Sequence, residues 1–205
     1  MPYVIASDDF NRANASTLGS NWLKQPTDND FTIVSGQAAP NLTGDNTMLY
    51  QNASWPNDQY SQVRITNFGT GGLIGEGVGV AVRITYGPTD TFYRLVAVAT
   101  LAGADVELGK KVNGTYTSLQ TVAGHLVAND VLKLAVFGST LRMYKNGVQI
   151  GTDVIDTALT TGAAGITYSS ALAGNPTIDD WEGGHSVIDT PRPGYKRFTR
   201  RRQGI

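Results

Sequence analysis

Residues 132–148 read LKLAVFGSTLRMYKNGV, and this stretch predicts the fold class. Gly138-Ser139 separates two short apolar segments, residues 132–137 and 141–145, as the two-residue loop of a β-hairpin does. Asn146-Gly147 follows at once, and an Asn-Gly pair accepts the positive φ angles of a type I′ turn. Because successive hairpins pair neighbouring strands antiparallel, the stretch predicts part of an antiparallel sheet.

The same signals recur along the rest of the chain. Asn113-Gly114 separates residues 106–108 from residues 116–119 as another Asn-Gly turn. Residues 59–67 alternate between two faces, as a half-buried strand does. Further strand-like segments are residues 77–85, 91–100, 166–168 and 177–181. Convincing helical periodicity is missing, so we predict an all-β fold, a two-sheet antiparallel jelly-roll sandwich.

The composition excludes several classes of site. The 205 residues include no cysteine, which excludes disulfide scaffolds, thiolate zinc sites and cysteine nucleophiles. The two histidines, His125 and His185, are too few for a three-histidine metal site within one chain. Charged residues make up 16% of the chain, below the roughly 25% of an average soluble protein. This low charge, together with 24 glycines, is typical of a β-rich protein with many tight turns.

Charge is segregated along the chain. Residues 1–187 contain 10 Lys and Arg against 16 Asp and Glu, a net charge of −6, whereas residues 188–205 contain 6 against 1, a net charge of +5. We therefore predict a jelly-roll domain over residues 1–185 and an extended basic Pro/Arg-rich C-terminal arm over residues 186–205. The arm residues expected to mediate assembly are Arg192, Tyr195, Lys196, Arg197, Phe198, Arg200, Arg201 and Arg202.

Expectations about partners and location follow from the same pattern. Nucleic acid is a poor match for the mildly acidic domain, because phosphate contacts need a basic face, so an acidic protein surface is the expected partner of the arm. No run approaches 18 apolar residues, so no membrane partner is expected. The first residues, MPYVIASDD, lack the basic and apolar regions of a secretory signal, which predicts synthesis in a host cytoplasm without a signal peptide.

Five groups of short motifs resemble those of one fold family. They are DDFNR at residues 8–12 with LGSNW at 18–22, WPNDQY at 55–60, VAVR at 80–83, LRMYKNGV at 141–148 and TIDDWEG at 177–183. In this order they resemble the concanavalin A-like, laminin-G-like jelly-roll domains, of the kind found in phage structural proteins. The resemblance implies the sandwich fold over nearly the whole domain. That fold hosts lectins, glycoside hydrolases, lyases and virion proteins, so the resemblance implies no single function.

Candidate catalytic carboxylates are sparse. A resemblance to the glycosidases of this fold would include their catalytic E-x-D-x-x-E strand, and the chain lacks this motif. The nearest candidate is Asp105-Val106-Glu107, whose two carboxylates would share a strand face and could approach the roughly 5–5.5 Å of a retaining pair. Lys110 and Lys111 follow, so a solvated, charged strand edge is the favoured interpretation. The acidic cluster Asp179-Asp180-Trp181-Glu182 is better explained as a closing strand. We predict that the protein is not an enzyme.

Calcium is the metal that oxygen-only ligands in a β-sandwich would suit. Asp28-Asn29-Asp30 places three oxygen-bearing side chains in one loop, and Asp45-Asn46 is a second candidate. Neither matches the twelve-residue loop of an EF-hand, and Asp and Asn are also the residues that turns prefer. Calcium is therefore a candidate cofactor, with Asp28, Asn29 and Asp30 as its ligands.

Aromatic side chains near turns are candidates for glycan binding, because a flat ring covers the apolar face of a pyranose. The candidates are Trp55, Tyr86, Tyr116 and Tyr168. Trp22, Phe92 and Trp181 are expected in the core instead. No pair of the candidates is spaced along the chain to stack successive sugars.

These observations favour a non-enzymatic structural and binding module of a virion, such as a phage capsid decoration, fibre or tail-associated protein. The basic arm would attach it to a capsid or neighbouring subunit, and the exposed loops would bind glycans. Two alternatives stay open. One is a carbohydrate-active enzyme, a glycoside hydrolase or lyase that uses Asp105 and Glu107, and the other is a freestanding lectin. The sequence is also compatible with a homo-oligomer.

Overall fold

The computed structural model describes residues 3–69, 77–100, 103–170 and 175–187, the side chains of residues 125 and 170 excepted. This part of the chain forms β-strands and no helix. The strands are β1 (Tyr3–Asp8), β2 (Trp22–Lys24), β3 (Phe31–Val34), β4 (Gln37–Pro40), β5 (Gly44–Tyr50), β6 (Gln59–Asn67), β7 (Gly77–Tyr86), β8 (Asp90–Thr100), β9 (Gly103–Val112), β10 (Thr115–Leu126), β11 (Val131–Phe137), β12 (Thr140–Lys145), β13 (Val148–Ile155), β14 (Ala163–Ser170) and β15 (Thr177–His185). A helix suited to crossing a membrane is therefore also missing from the described residues.

The strands form two antiparallel sheets, which confirms the predicted all-β jelly-roll sandwich. The eight-stranded sheet has the order β13-β12-β11-β6-β15-β4-β3, with β1 also paired to β15. The seven-stranded sheet has the order β10-β9-β8-β7-β14-β5-β2. Strands distant in sequence are neighbours in both sheets, as in β6 beside β15 and β14 beside β5, so the connections cross between the layers. The arm residues from 188 onward lie outside the described residues.

The predicted hairpins are confirmed by backbone geometry. Asn146 and Gly147 both have positive φ angles, 49° and 77°, as a type I′ turn requires. Asn113 and Gly114 repeat this geometry with 49° and 80°. The alternation predicted for residues 59–67 holds over residues 61–66, because Ser61, Val63 and Ile65 are buried whereas the residues between them are only partly buried. Local turn chemistry and period-two patterning therefore account for much of the strand pairing.

Three tryptophans pack together in one part of the core between the sheets. Trp22 and Trp181 lie edge to face with ring centroids 4.7 Å apart, and Trp55 packs on Trp181 at 6.3 Å. The Trp181 indole N–H donates to Ser61 Oγ at 2.9 Å, which satisfies its polar atom inside the core. Trp22 and Trp181 are buried in this core, as predicted, whereas Phe92 is buried in a separate cluster with Ala81 and Ile84.

The opening motif DDFNR…LGSNW acts as one hydrogen-bonded unit around Asp8. Its carboxylate accepts from the Phe10 backbone N–H at 2.9 Å and from the Trp22 indole N–H at 2.9 Å. Arg12 donates to both oxygens of Asp8 and to the Leu18 carbonyl. The spacing of the motif therefore has a physical cause, because these groups close one loop against the core.

The two ends of the described chain lie side by side. Strand β1 pairs antiparallel with β15, and Tyr3 lies opposite His185. Ser186, predicted as the first residue of the arm, is buried, and its hydroxyl donates to the Val136 carbonyl at 2.6 Å. The chain is thus still attached to the eight-stranded sheet one residue beyond β15.

Candidate ligand-binding site

A pocket of about 620 Å³ lies at one end of the sandwich, and we call it the end pocket. Its walls come from the segment before β6, the β11–β12 turn, the connection between β13 and β14, and the ends of β7 and β15. The lining residues are Pro56, Asn57, Asp58, Arg83, Gly138, Ser139, Asp156, Thr157, Leu159, Thr160 and His185. Elements of both sheets contribute, so the pocket exists only in the assembled sandwich.

Arg83 holds the loops of the end pocket together. It lies at an irregularity in the β7–β8 pairing, between Val82 and Thr85, and has a left-handed φ of 53°. Its guanidinium is buried and donates to the carbonyls of Asn57 (3.1 and 2.9 Å), Leu159 (2.6 Å) and Gly138 (2.7 Å). A non-glycine residue with this φ is strained, and such strain persists where the surroundings enforce it. One cation thus fixes three separate loops.

A second network fixes the connection between β13 and β14. The Tyr93 hydroxyl donates to Asp156 Oδ1 at 2.6 Å, and Lys110 Nζ donates to Asp156 Oδ2 at 2.5 Å. The same hydroxyl accepts from the Leu159 backbone N–H at 3.1 Å. Burial and the bond to Asp156 raise the pKa of Tyr93 to about 12. Burial of Asp156 opposes ionisation, but the hydrogen bonds from Lys110 and Tyr93 outweigh it and lower its pKa.

The end pocket presents oxygen atoms within a lining that is more apolar than polar. Asp58 accepts from the Gly138 backbone N–H through Oδ1 at 2.7 Å, so one carboxylate oxygen is already oriented by the turn. Ser139, Thr157 and Thr160 add hydroxyl groups to the lining, whereas Pro56 and Leu159 add apolar faces. Arg83 gives four hydrogen bonds to loop carbonyls. These surroundings suit a neutral ligand rich in hydroxyl groups, in a pocket of the size that small ligands occupy.

The end pocket was not predicted from the sequence, although the sequence contains one signal for it. Arg83 is a charged residue in the otherwise apolar segment GVGVAVRIT, residues 77–85. A buried arginine must find hydrogen-bond acceptors, so it marks a place where loop carbonyls converge. The identity of those loops could not be inferred, because the acceptors lie 26, 55 and 76 positions away in sequence.

The four predicted glycan-binding aromatics do not form one site. Tyr168 is 4% exposed and belongs to the core, so its assignment as a ligand-facing ring is corrected. The Tyr86 hydroxyl donates to the Thr47 carbonyl at 2.7 Å, and burial raises its pKa. Trp55 donates to the Tyr50 carbonyl and packs on the core, and Tyr116 lies under the Arg94 guanidinium, 4.2 Å from its ring centroid. Each of these rings is thus in contact with other groups of the same chain.

The two predicted calcium loops lie side by side. The Asn29 backbone N–H donates to the Asp45 carbonyl, and the Asn46 amide donates to the Asp30 carbonyl. Asp28 turns inward and accepts from the Thr47 backbone N–H at 3.1 Å. The described residues contain no group of three or more His, Asp or Glu side chains arranged to hold a metal ion.

Lys111 forms ion pairs with two carboxylates of this acidic region. Its ammonium lies between Asp45 and Asp90, and its distance to Asp90 is 3.1 Å. Burial and then the charge of Asp90 raise the pKa of Asp28 to about 6 against the lowering effect of the Thr47 hydrogen bond. Burial also opposes ionisation of Asp45, but the hydrogen bond from Lys111 outweighs it and lowers the pKa. An ammonium therefore takes the position that a bound cation would have between these carboxylates.

The candidate acid–base pair lies on the outer face of the seven-stranded sheet. Asp105 and Glu107 share this face, since Ala104, Val106 and Leu108 point into the core. Glu107 is only 1% exposed and lies 3.9 Å from the Arg94 guanidinium.

Asp105 and the second acidic cluster are also held by protein groups. Asp105 accepts from the Gly124 backbone N–H at 2.6 Å. Asp180 pairs with Arg64, and Glu182 accepts from the Tyr60 hydroxyl.

Comparison with known proteins supports the fold. No protein-family model and no curated protein matches the chain. A carbohydrate-binding module, CBM66 from Bacillus subtilis, is 17% identical with a TM-score of 0.59 and covers 81% of this chain and 98% of its own.

Two glucanases show a similar likeness. A prokaryotic β-1,3-1,4-glucanase (lichenase) from a mouse hindgut metagenome is 9% identical with a TM-score of 0.58. The match covers 90% of this chain and 100% of the glucanase. The Bacillus licheniformis β-glucanase is 11% identical with a TM-score of 0.56, and the match covers 90% of this chain and 99% of the glucanase. These likenesses confirm the concanavalin A-like jelly roll. The similar structures include both a binding module and enzymes, so the fold alone does not distinguish these two functions.

Proposed function

We propose that this chain is a non-enzymatic glycan-binding module and that the end pocket is its binding site. One observation carries the proposal: a pocket of about 620 Å³ combines apolar surface with carboxylate and hydroxyl oxygens, and its arginine is occupied by loop carbonyls. Sugar hydroxyls donate to carboxylates, and the apolar faces of a pyranose pack on groups such as Pro56 and Leu159. A neutral sugar unit is the ligand class that this chemistry favours.

The environment of Glu107 argues against hydrolysis. A retaining glycosidase needs two carboxyl groups on either side of the scissile bond, both accessible to the substrate. Glu107 is almost fully buried beside Arg94, and Asp105 is oriented by a backbone N–H. The likeness to a carbohydrate-binding module is compatible with binding alone.

The test is a screen of the full-length chain against neutral oligosaccharides, followed by calorimetry on the best ligand. We expect Thr160→Val to weaken binding about 2–10-fold, the effect of losing one neutral hydrogen bond. Asp58→Asn should weaken it by about tenfold or more, because it removes a charge-assisted acceptor. Thr161→Val is the matched control, since Thr161 is the next residue and does not line the pocket. Equal effects of Thr160→Val and Thr161→Val would exclude the end pocket.

We further propose that the basic arm attaches the module to a virion or a comparable assembly. The segregation of charge, −6 over residues 1–187 and +5 over residues 188–205, supports this attachment to an acidic protein surface. Arginine forks bind carboxylates in bidentate geometry, and Tyr195 and Phe198 would supply apolar anchors. Attachment through the arm would leave the end pocket of the jelly-roll domain available for glycans.

Deletion of residues 188–205 tests the attachment. We expect the truncated chain to keep its melting temperature and its glycan affinity but to be lost from particles purified from the producing cells. Replacing Arg200, Arg201 and Arg202 by glutamate should have the same effect, whereas replacing them by lysine should keep part of the attachment. Unchanged incorporation of the truncated chain would leave a freestanding lectin as the better description.

A further inference from the structure

A second group of polar side chains crosses the outer face of the eight-stranded sheet. Strand register places Tyr144 on β12 opposite Lys133 on β11, and Lys133 opposite Gln62 on β6. Glu182 on β15 lies opposite Gln62, which completes a row across four strands. Their chain neighbours, such as Leu132, point into the core, so this row faces outward.

A cavity of about 210 Å³ lies along this row, and we call it the face cavity. Lys133, Gln62 and Tyr144 line it together with Ala135 and Phe137. Ala135 lies opposite Tyr60 in the next row, and its small side chain leaves the depression open. Residues 186–187 form a further wall, which the Ser186 hydrogen bond to Val136 holds in place. The volume suits a single sugar unit.

The ammonium of Lys133 lies against aromatic rings rather than beside a carboxylate. It lies 3.8 Å from the centroid of the Tyr60 ring and 5.8 Å from that of Tyr144. An aromatic ring is a weaker partner for the three N–H donors of an ammonium than a carboxylate is. In the described part of the chain, no carboxylate lies within ion-pair distance of Lys133. Burial lowers its pKa, against the opposing charge of Glu182.

Other cations on the same face differ from Lys133. Arg64 pairs with Asp180 at 2.7 Å, and Arg142 pairs with Asp153 at 2.6 Å. Glu182 accepts from the Tyr60 hydroxyl, so its hydrogen-bonding capacity is partly used. A desolvated ammonium with donors to spare, beside a cavity and an aromatic ring, is suited to a ligand that brings its own acceptor.

We propose that the face cavity binds a uronate unit, a sugar that carries one carboxylate, as part of an acidic polysaccharide. The carboxylate accepts from Lys133, a ring hydroxyl bonds the Gln62 amide, and the apolar sugar face packs on Tyr144. Lys133 supplies the attraction for this carboxylate, and the charge of Glu182 in the same row weakens that attraction. This site is separate from the end pocket and does not depend on the function proposed for it.

The test uses amide chemical shifts of the full-length chain titrated with trigalacturonate, with neutral galactotriose and with acetate. We expect trigalacturonate to shift the amides of Lys133 and Gln62 and to bind at least tenfold more tightly than the other two probes. Lys133→Met, which keeps the apolar stem over Tyr60, should weaken trigalacturonate binding at least tenfold, whereas Lys133→Arg should keep most of it. Equal binding of galactotriose would overturn the proposal, and so would equal binding of acetate.

A second variant keeps the ammonium and blocks the site. Ala135→Leu fills the depression beside Lys133 and should also abolish the shifts at Gln62. Shifts confined to Thr157 and Thr160 would assign the binding to the end pocket and overturn the face cavity. Unchanged trigalacturonate affinity in folded Lys133→Met or Ala135→Leu protein would do the same.

Discussion

Replacing Arg83 by methionine should lower the free energy of unfolding by at least about 3 kcal/mol and abolish glycan binding in the end pocket. The variant removes four hydrogen bonds and leaves the carbonyls of Asn57, Gly138 and Leu159 without their donor. Each buried carbonyl that loses its partner costs about 1–3 kcal/mol. Because those carbonyls belong to three loops of the pocket, lost stability and lost binding should occur together. Denaturant unfolding and calorimetry measure the two effects.

Arg64→Met is the matched control for this arginine. The Arg64–Asp180 pair lies on β6 and β15 and is exposed, so its loss should cost less than about 1 kcal/mol. Arg83→Lys should recover only part of the stability, because one ammonium cannot reach three loops as a planar guanidinium does. An Arg83→Met protein within 1 kcal/mol of the wild type would contradict the assigned role.

Replacing Lys111 by methionine should lower stability by about 2–4 kcal/mol near pH 7. The ammonium lies between Asp45 and Asp90, and the Asp90 side chain is 6% exposed. Without Lys111, no ammonium lies between Asp45 and Asp90, so these carboxylates and Asp28 repel one another more strongly. Asp28 already has its pKa raised from 3.8 to about 6 in the presence of Lys111.

The loss caused by Lys111→Met should depend on pH in a defined direction. A folded-state pKa above the unfolded value means that the folded state binds protons more tightly, so stability falls as pH rises through that interval. For Asp28 the interval is about 4 to 6. The variant should therefore recover stability as the pH is lowered from 7 toward 4, by more than the wild type does.

Two further variants check the cause of this effect. Lys111→Met combined with Asp90→Asn should regain much of the lost stability, since the uncompensated buried charge is gone. Lys145→Met is the control, because Asp130 keeps its hydrogen bonds from Asn146 and from the Val127 backbone N–H. Parallel stability-against-pH curves for the wild type and Lys111→Met would contradict the assigned role of Lys111.

Several features of the fold could be predicted from residues close together in the chain. Asn146-Gly147 and Asn113-Gly114 adopt the positive φ angles of their turns because that preference belongs to the residues themselves. The alternation in residues 59–67 indicated the buried face of β6, and the motif around Asp8 brought groups within 14 positions into contact. Strands, hairpins and the sandwich class depend on such short-range patterns.

Prediction of the sites was less successful, because side-chain environments depend on long-range packing. Tyr168 was expected near a strand end and is buried, since β14 lies between β5 and β7 inside the sheet. The loops of Asp28 and Asp45 were recognised separately as oxygen-rich. Their neighbour Lys111 comes from β9, 66 positions beyond Asp45, so its occupation of the space between the carboxylates could not be foreseen.

Local chemistry in the chain thus specifies the strands, the turns and the segregation of the basic arm, because each depends on neighbouring residues. The end pocket and the face cavity arise only when strands distant in sequence become neighbours. Arg83 reaches its three loops because an irregularity between Val82 and Thr85 interrupts the period-two alternation. Lys133 meets Gln62 because β11 pairs with β6 in one particular register. Register and bulges are set by packing of the whole sandwich, and they determine which side chains form a site.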